Sequence, residues 1–167
     1  DGDGGGLDPV DGLRIHDIQG TDHRSLHEGQ AVSNVEGVVT KRDGTKGFYM
    51  QDTEADDDIR TSEAIYVYKP QSAVQVGDLV KVDGKVSEYR EDGYDDANDL
   101  TTTEIVASSI EKVSSGNALP EPVIIGDEGR KPPTENIDDD GLNAFEPETD
   151  GIDFYESMEG MLVVLDH

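Results

Sequence analysis

The segment DLVKVDGKVSEYR, residues 78–90, decides the predicted fold. Its valines alternate with lysine and aspartate, which is the two-residue period of a β-strand with one buried face and one solvated face. A glycine, Gly84, interrupts the segment at its middle, where a long strand can bend because no side chain is present. A long, bent and half-buried strand is typical of a small barrel.

Four other segments have the composition of strands. They are residues 30–40 (QAVSNVEGVVT), 47–52 (GFYMQD), 63–70 (EAIYVYKP) and 101–113 (TTTEIVASSIEKV). All are rich in β-branched or aromatic residues, and none has a helical apolar stripe. Together with residues 78–90 they predict an all-β fold, a five-stranded antiparallel Greek-key barrel like the oligonucleotide/oligosaccharide-binding (OB) fold. A β-sandwich is the competing interpretation, although five strands are few for it.

Composition predicts one domain with tails. The chain has 167 residues, of which 33% are hydrophobic, enough for one core of ordinary size. We expect a disordered acidic leader over residues 1–13, the OB-like domain over 14–116, and an extended, Pro- and Asp-rich linker arm over 117–153. A terminal strand over 154–167 would pair with the barrel edge or begin a following domain.

Charge is the most extreme property of the sequence. The chain has 39 acidic and 13 basic residues, which gives a formal net charge of −26. Such a chain repels itself unless salt shortens the Debye length, to about 3 Å at about 1 M. We therefore expect a halophilic source, the alternative being acidic solubility in an ordinary secreted protein. The absence of cysteine excludes disulfides and thiolate metal sites.

A basic and aromatic hairpin, VVTKRDGTKGFYMQD at residues 38–52, stands out in this acidic chain. If alternate residues of the strands fill the barrel, the others present tyrosine rings beside lysines, a surface on which bases stack for about 1–3 kcal/mol each. The predicted nucleic-acid-binding residues are Lys41, Arg42, Lys46, Tyr49, Gln51, Tyr66, Tyr68, Lys81 and Lys85. Ordinary solvated strand residues are the alternative interpretation.

Three acidic segments are candidate cation sites. In NIDDDGLN, Asn136, Asp138 and Asp140 have the spacing of calcium ligands, and Gly141 supplies the turn. A complete EF-hand is not predicted, because Pro147 stands where a bidentate Glu belongs. A second loop offers Asp92, Asp95, Asp96 and Asp99, and a third is DTEADDD at residues 52–58. The alternative interpretation is that these are ordinary solvated acidic loops. We expect no required cofactor, and Ca²⁺ is the ion that the loops suggest.

Several blocks in one order resemble a known family. The segments IHDIQGTDHRSLHEGQAVSNVEGVVT, GFYMQD, RTSEAIYVY, VGDLVKVDGKVSEYR and DLTTTEI lie between about residues 15 and 113. Together they resemble the N-terminal OB-like region of large secreted nucleases whose catalytic part is of the endonuclease/exonuclease/phosphatase type. FYESMEGMLVVL, residues 154–165, resembles the segment that joins that region to the catalytic domain.

The resemblance implies a non-catalytic module of a secreted, metal-dependent nuclease. Its expected partners are single-stranded DNA, or RNA, and the catalytic domain of the same parent chain; we expect a monomer and no membrane partner. The family's catalytic Asn, Glu, Asp and His motifs are not found in this sequence, so no catalytic residue is assigned. A structural spacer that packs on the catalytic domain, stabilised by salt or calcium, is the alternative.

Overall fold

A computed structural model describes residues 8–92 and 99–166. The elements in chain order are β1 (Val10–Asp11), α1 (Ile15–Gln19), β2 (Ala31–Asp43), β3 (Gly47–Gln51), β4 (Ala64–Tyr68), β5 (Leu79–Tyr89), β6 (Thr102–Ser114), β7 (Val123–Ile125), α2 (Gly151–Glu156) and β8 (Val163–Leu165). Within these described ranges, neither helix has the length and apolar character needed to cross a bilayer.

Five strands form a ring of pairings. β2 pairs antiparallel with both β3 and β5, β3 pairs antiparallel with β4, and β5 pairs antiparallel with β6. A parallel pairing of β4 with β6 completes the ring in the order β2-β3-β4-β6-β5. The predicted OB-like barrel is therefore confirmed. The short strand β1 adds a sixth member to this sheet, and the pairings β4–β6 and β1–β2 are parallel where antiparallel pairing was expected.

The long strands bend at bulges. β2 changes register between Val32 and Val35 and again between Val39 and Lys41, while β5 does so between Asp83 and Gly84. A Cβ added at Gly84 would lie 2.4 Å from the carbonyl oxygen of Val106 on β6. The mid-strand glycine is therefore required where β6 crosses β5 closely.

The barrel core consists of aliphatic side chains with one phenylalanine. Its fully buried members come from all five ring strands and from α1: Ile15, Ile18, Val32, Val35, Val39, Phe48, Met50, Ile65, Val67, Val80, Val82, Val86 and Ile105. The alternating valines of residues 78–90 all point inward, as their period predicts. Each such side chain contributes about 1.5–3 kcal/mol when buried.

Part of the predicted leader is ordered. Val10 of β1 pairs parallel with Val32 of β2, and Leu13 packs against the barrel core. Arg14 then donates two hydrogen bonds to the carboxylate of Asp52, at 2.9 and 2.6 Å. The expectation of disorder is wrong for residues 8–13, because these contacts offset the entropy of ordering them. Residues 1–7 lie outside the described ranges.

The arm is folded rather than extended. β7 and β8 form a parallel two-stranded sheet, and Ile125, Phe154 and Met158 make a second, small core. The predicted strand over residues 154–167 is wrong for its first part, where α2 ends at Glu156 and a turn follows. Phe154 of the helix and Met158 of the turn are both buried in the small core, which favours this compact conformation over an extended one. The strand that follows pairs with β7 and not with the barrel edge.

Four hydrogen bonds tie the arm to the barrel side of the molecule. The buried side chains of His23 and Asp153 meet at 2.7 Å. The hydroxyl of Ser62 donates to the carbonyl of Glu159 at 2.7 Å, and the N–H of Thr103 donates to the Glu159 carboxylate at 3.1 Å. The N–H of Leu162 donates to the side chain of Gln51 at 2.9 Å. The turn after α2 therefore lies over the outer faces of β3 and β4.

Candidate ligand-binding groove

Strand pairing brings three tyrosines of β3 and β4 to one outer face of the barrel. Tyr49 of β3 pairs with Tyr66 of β4, which pairs in turn with Glu104 of β6. In the neighbouring row Tyr68 pairs with Val106. Side chains of directly paired residues share a face, so these rows form a continuous surface across three strands.

The surface is concave. It encloses a groove of about 590 Å³, which is in the range of small-ligand sites. The groove is lined by Asp43, Lys46, Tyr49, Tyr66, Tyr68, Tyr89, Glu91, Thr102, Glu104 and Val106. Its walls are thus aromatic, with hydroxyl and carboxylate groups between the rings.

Tyr49 and Tyr66 form a fixed corner of the groove. Their ring centroids lie 5.0 Å apart with an interplanar angle of 63°, an edge-to-face contact. The hydroxyl of Tyr66 donates a hydrogen bond to Oδ2 of Asp43 at 3.0 Å. A Cβ added at Gly47 would lie 2.7 Å from the Tyr66 hydroxyl and 2.2 Å from the carbonyl oxygen of Val67, so only glycine fits beneath this ring.

The ionisable groups at this corner are shifted toward their neutral forms. Burial raises the pKa of Tyr66, and the hydrogen bond to Asp43 adds to the rise. Burial also raises the pKa of Tyr49, as do the charges of Asp43 and Glu159. The pKa of Glu104 is raised by burial and by the charge of Glu88. At neutral pH the corner therefore presents neutral phenols, which can donate hydrogen bonds.

The opposite wall of the groove is open. Tyr68 is 41% exposed and Tyr89 is 51% exposed, so both rings offer area to a ligand. Tyr49 is only half-buried, but the arm touches it: a Cβ added at Gly160 would lie 3.1 Å from its Cδ1 atom. The rings of Tyr68 and Tyr89 are the ones available for stacking.

Carboxylates outnumber cations in the groove lining. Asp43, Glu91 and Glu104 line the groove together with Lys46. Lys41 pairs with Tyr49 and Lys85 pairs with Val106, which places both lysines on the same outer face beside the lining. Three lysines thus lie on or beside this face of a chain that carries −26.

Three predicted binding residues do not lie at this surface. Gln51 is 2% exposed and is covered by Leu162. Arg42 pairs with the core residue Phe48, so it points away from Lys41, and it donates to the carbonyls of Val74 and Ser72 at 3.0 and 3.2 Å. The bulge between Val39 and Lys41 and the docked arm explain these errors.

Lys81 is the third misplaced residue. It lies beside Glu36, with Nζ and Oε2 4.0 Å apart, in a separate groove that also contains Arg14. Four residues of strand, about 13 Å, separate it from Lys85. Of the predicted residues, Lys46, Tyr49, Tyr66 and Tyr68 line the groove. Lys41 and Lys85 lie on the same outer face through their pairings with Tyr49 and Val106.

The groove lining includes six residues that were not predicted: Asp43, Tyr89, Glu91, Thr102, Glu104 and Val106. Tyr89 was detectable, because Lys85, Ser87 and Tyr89 alternate with the inward-facing Val86. The residues of β6 were not, because the parallel pairing of β4 with β6 joins segments far apart in sequence.

The predicted calcium ligands make hydrogen bonds within their own loop. The Asp138 carboxylate accepts from the N–H groups of Gly141 and Leu142. Asp140 accepts from Asn143 and Ala144 in the same way, and the Asn136 side chain donates to Asp139. These carboxylates close turns of the backbone, and calcium binding by this set stays a prediction.

Two other clusters of potential ligands occur in the described part of the chain. Asp139, Glu146 and Asp150 form one, and His16, Asp56 and Glu63 the other. Neither contains Asp92 or Asp99; Asp95 and Asp96 lie outside the described residues. Burial raises the pKa of Asp150, and Asp139 adds to the rise. Loss of hydration likewise raises the pKa of Glu146, and among the neighbouring charges Asp150 adds most to this rise.

Comparison with known proteins gives likenesses of two kinds, one to a family model and one to solved structures. Residues 124–167 match the model of a domain of unknown function, DUF8508. The structure of the hypothetical protein ygiW from E. coli matches over 53% of this chain and 80% of that chain, at 20% identity and a TM-score of 0.35. No curated protein matches the chain. Neither description states an activity.

Proposed function

We propose that the tyrosine groove binds single-stranded nucleic acid and that the chain is a non-catalytic binding module. The observation that carries this proposal is the groove itself, in which two half-exposed rings, Tyr68 and Tyr89, stand beside a fixed aromatic corner. Every base has a stacking face, so such rings bind single strands without base-specific contacts.

The aromatic lining of the groove suits this ligand in salt. Phosphate attraction weakens steeply as salt rises, whereas stacking contributes about 1–3 kcal/mol per base and does not depend on counterion release. Lys46 and Lys85 lie on either side of Tyr68, where they can follow a phosphate backbone. Binding should therefore be weak at low salt, where the net charge of −26 repels the polymer, and should persist at about 1 M salt.

The biological setting is proposed from the block resemblance described above. In this proposal the module positions single-stranded DNA, in preference to RNA, for the catalytic domain of a secreted, metal-dependent nuclease from a halophile. The acidic composition supports the halophilic source, since high salt removes the self-repulsion of the chain.

Fluorescence anisotropy with labelled oligothymidylate, at low salt and at about 1 M potassium chloride, tests the binding proposal. We expect saturable binding that is retained at high salt and weakened by the double variant Tyr68→Ala/Tyr89→Ala by about 2 kcal/mol or more. Tyr155→Ala is the matched control, because Tyr155 is an exposed tyrosine of α2 outside the groove. Absence of saturable binding at both salt concentrations would remove the proposal.

The exposed sheet of the arm favours a second function, a structural spacer. Ile124 of β7 pairs with Val164 of β8, so the two share one face of the sheet, and they are 40% and 45% exposed. Val163 and Leu165 lie on the other face and are also exposed. Exposed apolar side chains on a sheet suit a packing surface, here for the catalytic domain of the parent nuclease. Val164→Lys should then lower the melting temperature of the complete nuclease and leave that of the present chain unchanged. An unchanged complete nuclease would exclude this role for the sheet.

A further inference from the structure

The acidic loop of the arm, residues 136–150, is closed by backbone hydrogen bonds at its ends. The N–H of Gly151 donates to the carbonyl of Asn136 at 3.1 Å, and the N–H of Ile152 donates to that of Ile137 at 3.0 Å. The start of α2 is thereby held against the beginning of the loop. This closure brings the carboxylate of Asp150 to that of Asp139.

Asp150 is the unusual residue of this loop. It is 1% exposed, and neither carboxylate oxygen has a hydrogen-bond partner among the residues that the structure describes. It occupies the N-cap of α2, yet its side chain makes no capping hydrogen bond. The backbone N–H of Asp139 limits the rise in the pKa of the Asp150 carboxyl, but its geometry is not that of a hydrogen bond. A buried carboxylate without partners is costly unless a cation compensates it.

The neighbours of Asp150 are further carboxylates. One oxygen from each of Asp139, Glu146 and Asp150 lies within 4.8 Å of the others. Calcium binds oxygen at about 2.3–2.6 Å, so two ligands on opposite sides of one ion lie about 5 Å apart. The three oxygens therefore have the spacing of ligands around a single cation.

We propose that Asp139, Glu146 and Asp150 form a calcium-binding site. All three ligands are hard oxygens, which disfavours soft metals such as zinc. An irregular loop suits calcium better than magnesium, because magnesium requires near-ideal octahedral geometry at about 2.0–2.1 Å. Asp139 and Glu146 are exposed and leave one side open for entry and for water ligands.

The second cluster of described residues provides a contrast. His16 lies 3.2 Å from Glu63, and the other Glu63 oxygen accepts from the N–H of Asp56 at 2.6 Å. Asp56 accepts from the N–H of Asp58 and from the hydroxyl of Thr61. The carboxylates of that cluster are satisfied by the protein itself, so a cation is not needed there.

Calcium at this site would act on the docking of the arm. The N–H of Glu146 donates to Oδ2 of Asp153 at 2.7 Å, and Oδ1 of Asp153 is the atom that meets His23. An ion that holds Glu146 and Asp150 would therefore fix the loop beside the contact between arm and barrel side. This inference is independent of nucleic-acid binding in the groove.

The test is calcium titration of the full chain by calorimetry and thermal melting, with sodium chloride at matched ionic strength and magnesium chloride as reference salts. We expect saturable binding of one Ca²⁺ and a rise in melting temperature larger than either reference salt gives. Asp150→Asn should weaken calcium binding by at least about tenfold and, without calcium, should raise the melting temperature because it removes like-charge crowding. Glu148→Gln, an exposed carboxylate of the same loop outside the cluster, is the matched control and should bind calcium as the parent chain does.

Three outcomes would overturn the proposal. One is the absence of saturable calcium binding. Another is a melting response to sodium chloride equal to that to calcium chloride, which would mean charge screening only. The third is an Asp150→Asn variant that retains the full calcium affinity.

Discussion

The barrel and the arm are stabilised by different groups. In the barrel, hydrocarbon side chains from five strands and α1 fill one core, with Phe48 at 0% exposure. In the arm, the core is smaller and consists of Ile125, Phe154 and Met158 among the described residues. The two most enclosed carboxylates of the described residues, Asp153 and Asp150, lie in the arm, whereas the barrel buries Asp78 and Glu63 slightly less completely.

The difference teaches where this acidic chain is sensitive to solution conditions. Burial of hydrocarbon changes little with pH or moderate salt, whereas buried carboxylates respond to protons and cations. We therefore expect the barrel to set the overall stability and the arm to respond to pH and cations.

The largest expected effect is a loss of barrel stability. Phe48→Ala leaves a cavity in the core and should lower the free energy of unfolding by about 3–5 kcal/mol. Chemical denaturation measures it, with Leu26→Ala, 84% exposed, as the control that should change little. Equal effects of the two substitutions would contradict a core centred on Phe48.

A smaller effect separates the arm from the barrel. His23→Ala removes the 2.7 Å hydrogen bond to the buried Asp153 carboxylate, and such bonds to charged groups contribute about 1.5–3 kcal/mol. Hydrogen exchange should show faster exchange in residues 151–162 while the core strands β3 and β5 stay protected. Uniform loss of protection in both regions would mean that arm and barrel unfold as one unit.

The smallest expected effect is a pH dependence of arm docking. Burial raises the pKa of Glu156 and of Glu159, and neighbouring carboxylates, among them Glu88, add to both rises. A raised carboxyl pKa means that the folded state holds more protons, so this contribution is complete below the ordinary pKa of about 4.5 and is lost as pH rises through the raised values.

In the barrel the sign is opposite. Lys112, at 2.9 Å, and further hydrogen bonds lower the pKa of Asp78 to about 2. The contribution of Asp78 to stability is therefore present above pH 3.8 and is lost as pH falls through about 2.

Limited proteolysis of the arm between about pH 5 and pH 9 measures the pH dependence of arm docking. Glu156→Gln/Glu159→Gln should remove the pH dependence; its persistence in that variant would assign it to other groups.

The same contrast explains what could be predicted from the sequence. The valines of residues 78–90 report which face of β5 is buried, and the alternation in β4 places Tyr66 and Tyr68 on the opposite face from Ile65 and Val67. Local periodicity carries this information because burial in a barrel alternates along each strand.

The errors have non-local causes. The bulge after Val39 places Lys41 on the outer face and Arg42 on the inner face, and the arm covers Gln51 through Leu162. Neither leaves a periodic signal in the surrounding residues. In the acidic loop the spacing of Asp138 and Asp140 suggested ligands, but chain closure at Asn136 and Gly151 instead brings Asp139 to Asp150.

The most direct test of the proposed groove is an NMR titration of the isotope-labelled chain with oligothymidylate at about 1 M salt. We expect chemical-shift changes to saturate and to cluster on β3, β4 and β6, around Tyr68 and Thr102, and on the end of β5 at Tyr89. The absence of shifts, or shifts confined to the arm, would contradict nucleic-acid binding by the tyrosine groove.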